Sequence, residues 1–158
     1  MELVPVNLVQ TSLKIAALSR SEASERGVSI KFDSSATAVI DGDPTQIEQA
    51  LLNLISNAVD AASDRKTGGG AVVIRVCEAK ERRRVEVEDN GPGIASDIAD
   101  RLFEPFETSK PRGMGLGLAL SRQIVDAHGG RLWCEPVEPQ GSRFVIEFGF
   151  PAESRHAR

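Results

Sequence analysis

Closely spaced glycines before a helix could bind an anion, and the sequence contains one such run, Gly113-Met114-Gly115-Leu116-Gly117-Leu118. Glycines at a helix start let backbone N–H groups point at phosphate oxygens, and the helix dipole favours negative charge there. The run is neither a Walker A motif nor a dinucleotide fingerprint, because no Gly-Lys-Ser/Thr follows and no strand precedes it at the required spacing. On its own it predicts either a phosphate-binding loop or an ordinary glycine-rich turn.

Asp89 is a second candidate, because it continues the period-two pattern of Val85 and Val87 and should lie on the buried side of a strand. A buried carboxylate must find hydrogen-bond donors or change its pKa. An adenine amino group would be such a donor, and so would a backbone cap. The turn that follows contains Gly91 and Gly93, where the backbone can approach a ligand closely.

Two amides and a carboxylate form the third group: Asn53, Asn57 and Asp60 lie three or four residues apart and share one face of a helix. Asn57 is suited to Mg²⁺, which takes hard oxygen ligands and usually only one or two from protein. Asn53, one turn earlier, could hold a metal-bound water or a phosphate oxygen. Simple exposure to solvent is the alternative for this face.

The helix that carries these amides has the clearest boundaries. Asp43 is the predicted N-cap, Pro44 the first helical residue and Gln46 the capping-box partner. One apolar stripe should face the core, and it comprises Ile47, Leu51, Leu54, Ile55, Ala58 and Ala62.

An earlier helix is predicted over 8–25, with Asn7 as its N-cap and Gly27 beyond its end. Its apolar residues at helical spacing are Val6, Val9, Leu13, Ala16 and Ala17. A third helix should run from about 115 to His128, and a short one over 97–102 is followed by two apolar anchors, Phe103 and Phe106.

Strands are predicted near 28–32, 37–40, 72–76, 85–89, 131–135 and 142–150, with a hairpin turn over 80–83. This order predicts an α/β two-layer sandwich, in which a mixed, mainly antiparallel sheet packs against about three helices. We assign residues 1–151 to one domain and expect 152–158 to be a disordered tail.

Composition excludes several other classes. The formal net charge of −4 does not favour binding to nucleic acid, and the basic cluster near Arg83 is interleaved with glutamates. Cys77 and Cys134 stand far apart without a metal-binding spacing, so we expect buried reduced thiols, as in a cytoplasmic protein. No apolar run reaches the length that spans a bilayer.

Taken together, the motifs resemble the GHKL superfamily of ATPases and kinases, and within it the catalytic domain of sensor histidine kinases. The stretch 49–58 looks like its N box, 89–94 the G1 box, 103–106 the F box and 113–118 the G2 box. The order and spacing of all four make the match specific over about 43–150. The segments 103–110 and 122–130 look most like kinases of the nitrogen- and oxygen-sensing type.

The resemblance implies a Bergerat-type fold that binds ATP and Mg²⁺. It places Asn57 on the metal, Asp89 on the adenine amino group and the glycine run on the triphosphate, and it includes Gly91, Gly93 and Ile94 among the nucleotide-binding residues. Lys110 would reach the γ-phosphate from a short lid, or else be solvated. The partners implied are a histidine-bearing dimerisation domain of the parent kinase and, indirectly, a response regulator. The isolated domain should be monomeric and the parent a homodimer, which is membrane-anchored in some kinases of this kind.

Two departures refine the expectation. Family members that hydrolyse ATP carry a water-activating Glu where this chain has Asn53, which cannot accept a proton, so a kinase is favoured. Many kinases carry Lys or Arg where this chain has Asp60. His128, in the last turn of a helix where positive charge is favourable, is predicted to be structural, and His156 lacks the context of a phosphate acceptor.

We therefore expect a catalytic domain that binds ATP·Mg²⁺ but does not phosphorylate itself, because its acceptor histidine lies on another domain. Two alternatives remain open. One is a stand-alone serine kinase of the anti-sigma-factor type, and the other is a nucleotide-binding regulatory module without transfer activity.

Overall fold

A computed structural model describes residues 2–34, 37–79, 81–99, 101–105 and 117–149. The predicted tail therefore lies outside the described residues, as do Phe106, Lys110 and the first part of the glycine run. The helices and strands, in chain order, are β1 (Val4–Asn7), α1 (Leu8–Glu25), β2 (Val28–Ser34), β3 (Val39–Gly42), α2 (Pro44–Ser63), β4 (Gly70–Ala79), β5 (Arg82–Asp89), α3 (Ser96–Ala99), α4 (Gly117–Ala127), β6 (Arg131–Pro136) and β7 (Ser142–Gly149).

Five strands form one sheet in the order β2-β4-β5-β7-β6, and β1 pairs with β3 in a separate two-stranded sheet. Only the β2–β4 pair is parallel among the described strands; the other pairs are antiparallel. The long helices pack against one face of the large sheet. The predicted two-layer α/β sandwich with a mixed, mainly antiparallel sheet is thus confirmed.

The β4–β5 hairpin is tighter than predicted. Arg82 and Arg83 already pair with Ala79 and Glu78, so the turn is shorter than the predicted 80–83. Arg83 also forms an ion pair with Glu78 directly across the hairpin. Opposite charges at facing positions favour continued pairing, which periodicity of apolar residues alone does not reveal.

Helix α2 begins at the residue that the sequence predicted and has the predicted core face. The Asp43 carboxylate oxygen Oδ1 accepts a hydrogen bond from the backbone N–H of Gln46 at 3.1 Å, and Pro44 opens the helix. Its predicted apolar stripe is buried throughout, namely Ile47, Leu51, Leu54, Ile55, Ala58 and Ala62. Burial of this stripe against β4 and β5 fixes which face of α2 turns away from the core.

Helix α1 begins and ends where predicted, and Asn7 caps it by accepting from the N–H of Val9 at 3.0 Å. The predicted apolar face is right in part: Ala16 is buried and Val9 is half-buried, whereas Leu13 is 41% exposed and Ala17 is also exposed. Val6 is buried in β1, and the buried residues of the helix are Leu8, Ser12, Ile15, Ala16 and Ala23. Pairing of β1 with β3 and a hydrogen bond from the N–H of Leu8 to the carbonyl of Ala38 set the rotation of the helix, and both are tertiary contacts.

The outer face of the sheet carries a ladder of charges beside a few apolar side chains such as Val145 and Trp133. Arg143 donates to Glu88 from Nη2 at 2.6 Å, and Arg84 donates to Glu147 at 2.7 Å. These hydrogen bonds to glutamate raise the pKa of both arginines. The guanidinium of Arg84 also lies over the ring of Trp133, 5.4 Å from its centroid.

Candidate nucleotide site

Asn53 and Asn57 lie on the face of α2 that turns away from the sheet, and both are half-buried. The side chain of Asn53 has two partners: its Nδ2 donates to the carbonyl of Gly117 at 3.2 Å, and its Oδ1 accepts from Gln49 Nε2 at 3.0 Å. The structure therefore brings Asn53 to the first residue of α4. Solvent exposure alone does not account for this amide.

Asp60, the third residue of this face, is bonded to α1. Arg26 donates from Nη1 to the Asp60 carboxylate at 2.5 Å and from Nη2 to the hydroxyl of Ser63 at 2.7 Å. A cation from the neighbouring helix thus neutralises the carboxylate one turn after Asn57. This contact explains how an acidic residue is accommodated where many kinases carry a basic one.

Asp89 ends β5 on the inner face of the sheet and is 2% exposed. Its Oδ1 accepts a hydrogen bond from the N–H of Gly91 at 2.9 Å, so the local backbone satisfies one carboxylate oxygen. The period-two prediction that Asp89 would be buried at a strand end is confirmed. Ser142 of β7 is its partner in the sheet register.

The turn after Asp89 is held by packing and by Asn90. A Cβ added to Gly91 would overlap the backbone carbonyl of Ala61, so this glycine allows the turn to lie against α2. Asn90 accepts from the N–H of Ala71 at 2.8 Å and donates to the carbonyl of Gly69 at 3.0 Å. Gly93 has a φ of +84°, a conformation that favours glycine.

Gly141 is a residue of the site that the sequence analysis missed. It has a φ of +130°, and an added Cβ would overlap the carbonyl oxygen of Asp89. The loop before β7 can therefore approach the Asp89 turn only with glycine at this position. The Pro-Gln-Gly sequence before β7 is typical of a turn. Local sequence does not predict that this turn contacts Asp89, because the register of the sheet sets that contact.

The F-box segment is anchored by Phe103. Its ring packs edge-on against Phe144 of β7 with centroids 6.2 Å apart, and the guanidinium of Arg122 from α4 lies 5.1 Å from the Phe103 centroid. Phe103 thus joins the sheet to α4, as an apolar anchor should.

A cavity of about 880 Å³ opens beside the Asp89 turn. Gly93 and Ile94 line it on one side and Phe103 on another, while Cys134 and Ser142 come from the sheet. Burial raises the pKa of the Cys134 thiol to about 12, and the charge of Asp89 contributes to the same shift. The thiol is therefore neutral at ordinary pH, which argues against a nucleophile here.

The helical end of the glycine run is Gly117, the first described residue of α4, followed by the half-buried Leu118. Lys110, Gly113, Met114, Gly115 and Leu116 lie outside the described residues. Among the residues that the structure describes, no group of three or more His, Cys, Asp or Glu side chains could hold a metal ion. No helix in the described part of the chain is long and apolar enough to span a membrane.

The model of the family described as histidine kinase-, DNA gyrase B- and HSP90-like ATPase matches residues 42–152. The chain belongs to this family. Over 96% of its length it is 36% identical to sensor protein ChvG of Agrobacterium fabrum, covering 26% of that protein. Over 86% it is 39% identical to sensor protein FixL of Bradyrhizobium diazoefficiens, again covering 26% of that protein. The chain therefore spans about a quarter of the length of these relatives.

Solved structures agree with this assignment. The catalytic domain of histidine kinase ThkA has a TM-score of 0.86 and 31% identity to the chain, with 98% of this chain and 100% of that one covered. Full-length ShkA, solved in complex with AMPPNP, has a TM-score of 0.82 and 31% identity, with 94% and 31% covered. The chain is thus a catalytic domain of the sensor histidine kinase kind, in a family that binds ATP.

Proposed function

We propose that this domain binds ATP with Mg²⁺ and positions the γ-phosphoryl group for transfer to a histidine of a separate dimerisation domain. The observation that carries the proposal is Asp89, a carboxylate 2% exposed at the end of β5, whose turn continues into Gly93 and Ile94 in the wall of an 880 Å³ cavity. Its Oδ1 accepts from the Gly91 N–H, which holds the carboxylate in place at the start of that turn. An adenine amino group is the donor that fits such an acceptor.

The base would lie beside Asp89, with Gly91, Gly93 and Ile94 forming one wall. Ile94 and Gly93 line the cavity in the structure, and Gly91 lets the turn pack on α2. The neutral thiol of Cys134 and the hydroxyl of Ser142 would complete the wall on the side of the sheet.

The phosphates would meet the N-terminus of α4. Gly117 and Leu118 begin this helix, and the preceding glycines Gly113 and Gly115 with Met114 and Leu116 would supply backbone N–H donors. Lys110 would approach the γ-phosphate. We infer that Asn53 acts by fixing Gly117, since its amide bonds the carbonyl of that residue.

Asn57 would be the ligand to Mg²⁺. The Asn57 amide is half-buried, and the described residues contain no cluster of acidic side chains that could hold a metal ion by themselves. A single amide oxygen fits Mg²⁺ when its other ligands are phosphate oxygens and water. The bound ion supplies charge neutralisation on the phosphates. The chain itself would contribute the neutral amide oxygen of Asn57, one helical turn beyond Asn53, whose side chain bonds α4.

Transfer would be an in-line displacement. A nitrogen of the acceptor imidazole attacks the γ-phosphorus, the bond from that phosphorus to the bridging oxygen of ADP breaks, and the imidazole proton passes to an acidic residue of the other domain. Asn53 cannot accept a proton, so water at this position is not activated and hydrolysis is disfavoured. Catalysis by this domain then consists of positioning and charge stabilisation.

The partners of the domain would be the dimerisation domain of its parent kinase and, through it, a response regulator. We place the domain in the cytoplasm, where ATP is available, as a monomer that joins a homodimeric parent.

The test is calorimetry with a non-hydrolysable ATP analogue, with and without Mg²⁺. Asp89→Asn should weaken binding about 10- to 150-fold, the range for a hydrogen bond to a charged group. The matched control is Glu88→Gln, the same chemical change on the outer face of the same strand, and it should bind as tightly as the unmodified domain. Equal affinity for Asp89→Asn and the unmodified domain would disprove the base contact.

A second measurement tests transfer. With labelled ATP, acid-labile phosphate should appear on a supplied dimerisation domain and not on this chain alone. Phosphate on a protein serine would instead support a serine kinase, and analogue binding without any transfer would support a regulatory module.

A further inference from the structure

Helices α2 and α4 flank the proposed phosphate site, and hydrogen bonds join them near both ends of α4. Helix α4 runs antiparallel to the first half of α2. At one end, Asn53 donates to the carbonyl of Gly117. At the other end, the ring of His128 accepts a hydrogen bond from the N–H of Asp43, the N-cap of α2, at 3.0 Å between the two nitrogens.

The hydrogen bonds of His128 define its protonation. Its Nε2 accepts from the Asp43 N–H, so that nitrogen carries no proton. Its Nδ1 lies 2.7 Å from the carbonyl oxygen of Ile124, a contact that requires the proton to be on Nδ1. The ring is therefore neutral, whereas the sequence analysis favoured a positive charge at the end of the helix.

The pocket around the ring is shaped to hold it. A Cβ added to Gly42 would lie 3.1 Å from His128 Cδ2, so glycine leaves the space that the ring fills. Phe148 of β7 packs against the ring with centroids 6.3 Å apart. The contacts come from three directions: the strand before α2, the N-cap of α2 and the sheet.

We propose that His128 is a positioning residue for the nucleotide site. Its hydrogen bond to the N-cap of α2 sets the position of α4 along the axis of α2. That position determines where Gly117 and the proposed phosphate-binding N–H groups lie relative to Asn57. The proposal rests on the proposed function, because it assigns the phosphates to the start of α4. His128 touches no nucleotide in this account and acts through the helix.

The proposal predicts that a change at His128 affects binding of the phosphates but not binding of the base. Asp89 is held by the turn after β5 and by packing on the second half of α2, and His128 contacts none of these. Displacing α4 should weaken the contacts to phosphate and leave the contacts to adenine. A loss of folding in general would weaken both.

The variants are His128→Leu, which keeps bulk but removes both hydrogen bonds, and His128→Gln, whose amide can both accept and donate. Ile15→Ala is the stability control, because Ile15 is buried in α1 away from α4. Each is measured well below its unfolding temperature by calorimetry with the ATP analogue and by chemical-shift titration with adenosine. His128→Leu should lose about fivefold in analogue affinity, the factor that one net hydrogen bond corresponds to.

Adenosine affinity should stay within about twofold in every variant. His128→Gln should recover most of the analogue affinity, and Ile15→Ala should keep it. If His128→Leu does not fold, Gly42→Ala, which crowds the same ring, should give the same split. Unchanged analogue affinity in His128→Leu and Gly42→Ala, or parallel losses of analogue and adenosine affinity in them, would overturn the proposal. Failure of the unmodified domain to bind the analogue would instead overturn the proposed function.

Discussion

On the inner face of the large sheet, the Asp89 carboxylate accepts a hydrogen bond from the N–H of Gly91, and the turn that follows lines the cavity through Gly93 and Ile94. On the outer face of the same strand, Glu88 is bonded by Arg143 and paired with Arg75. Both are acids at the end of β5, one residue apart. The outer one completes a surface network, while the inner one is buried and bonded to the turn that begins the proposed site.

This contrast extends along the other strands. Phe144 on β7 is 1% exposed and packs with the core, whereas its neighbour Arg143 belongs to the outer network. Cys134 on β6 lines the cavity, whereas Cys77 on β4 lies beside the charges of the outer face. Both thiols are free and half-buried rather than fully buried as predicted. The inner face therefore provides core packing and the proposed site, and the outer face mainly satisfies its own charges.

The largest expected effect is on the inner face. Phe144→Ala should lower the free energy of unfolding by about 3–5 kcal/mol, because it removes a fully buried ring and the support of Phe103. Urea unfolding followed by circular dichroism measures this change. A loss below about 1 kcal/mol would show that the inner face does not dominate stability.

The next effect concerns pH. The pKa of Cys134 rises from 9.0 to about 12 through burial and then the charge of Asp89, so the folded state favours the neutral thiol. Its stabilisation is complete below pH 9.0 and is lost as the pH rises towards about 12. Unfolding free energy should fall by about 1 kcal/mol per pH unit in that window from this group.

Cys134→Ala should flatten this alkaline dependence when unfolding is measured at several pH values. Cys77→Ala is the outer-face control and should flatten it less, since burial raises the pKa of the Cys77 thiol by a smaller amount. Equal slopes for Cys134→Ala and the unmodified domain would contradict the assignment.

The smallest effect is on the outer face. Arg143→Ala should cost less than about 1 kcal/mol at physiological salt, because ion pairs that solvent still reaches contribute little and are screened. The cost should shrink further in 1 M salt, and analogue affinity should be unchanged. A loss comparable to that of Phe144→Ala would mean that the charge network, rather than the core, holds the sheet.

Local sequence predicted much of this molecule. The N-cap and the apolar stripe of α2, the span of α1 and the burial of Asp89 follow from residue type and period, because each depends on neighbours within a few positions. The face of α1 was predicted only in part, with Ala16 buried but Leu13 exposed, since pairing of β1 with β3 sets its rotation. Gly141 was missed because its constraint, the carbonyl of Asp89, is distant in sequence.

By itself, the sequence determined the family, the order of the elements and the candidate residues of the nucleotide site, since motifs and periodicity are local properties of the chain. Only the tertiary structure decided which of those residues meet. It joined Asn53 to Gly117 and His128 to Asp43, and it required His128 to be neutral. Those contacts depend on how α4 docks on α2, and docking follows from packing across the whole core.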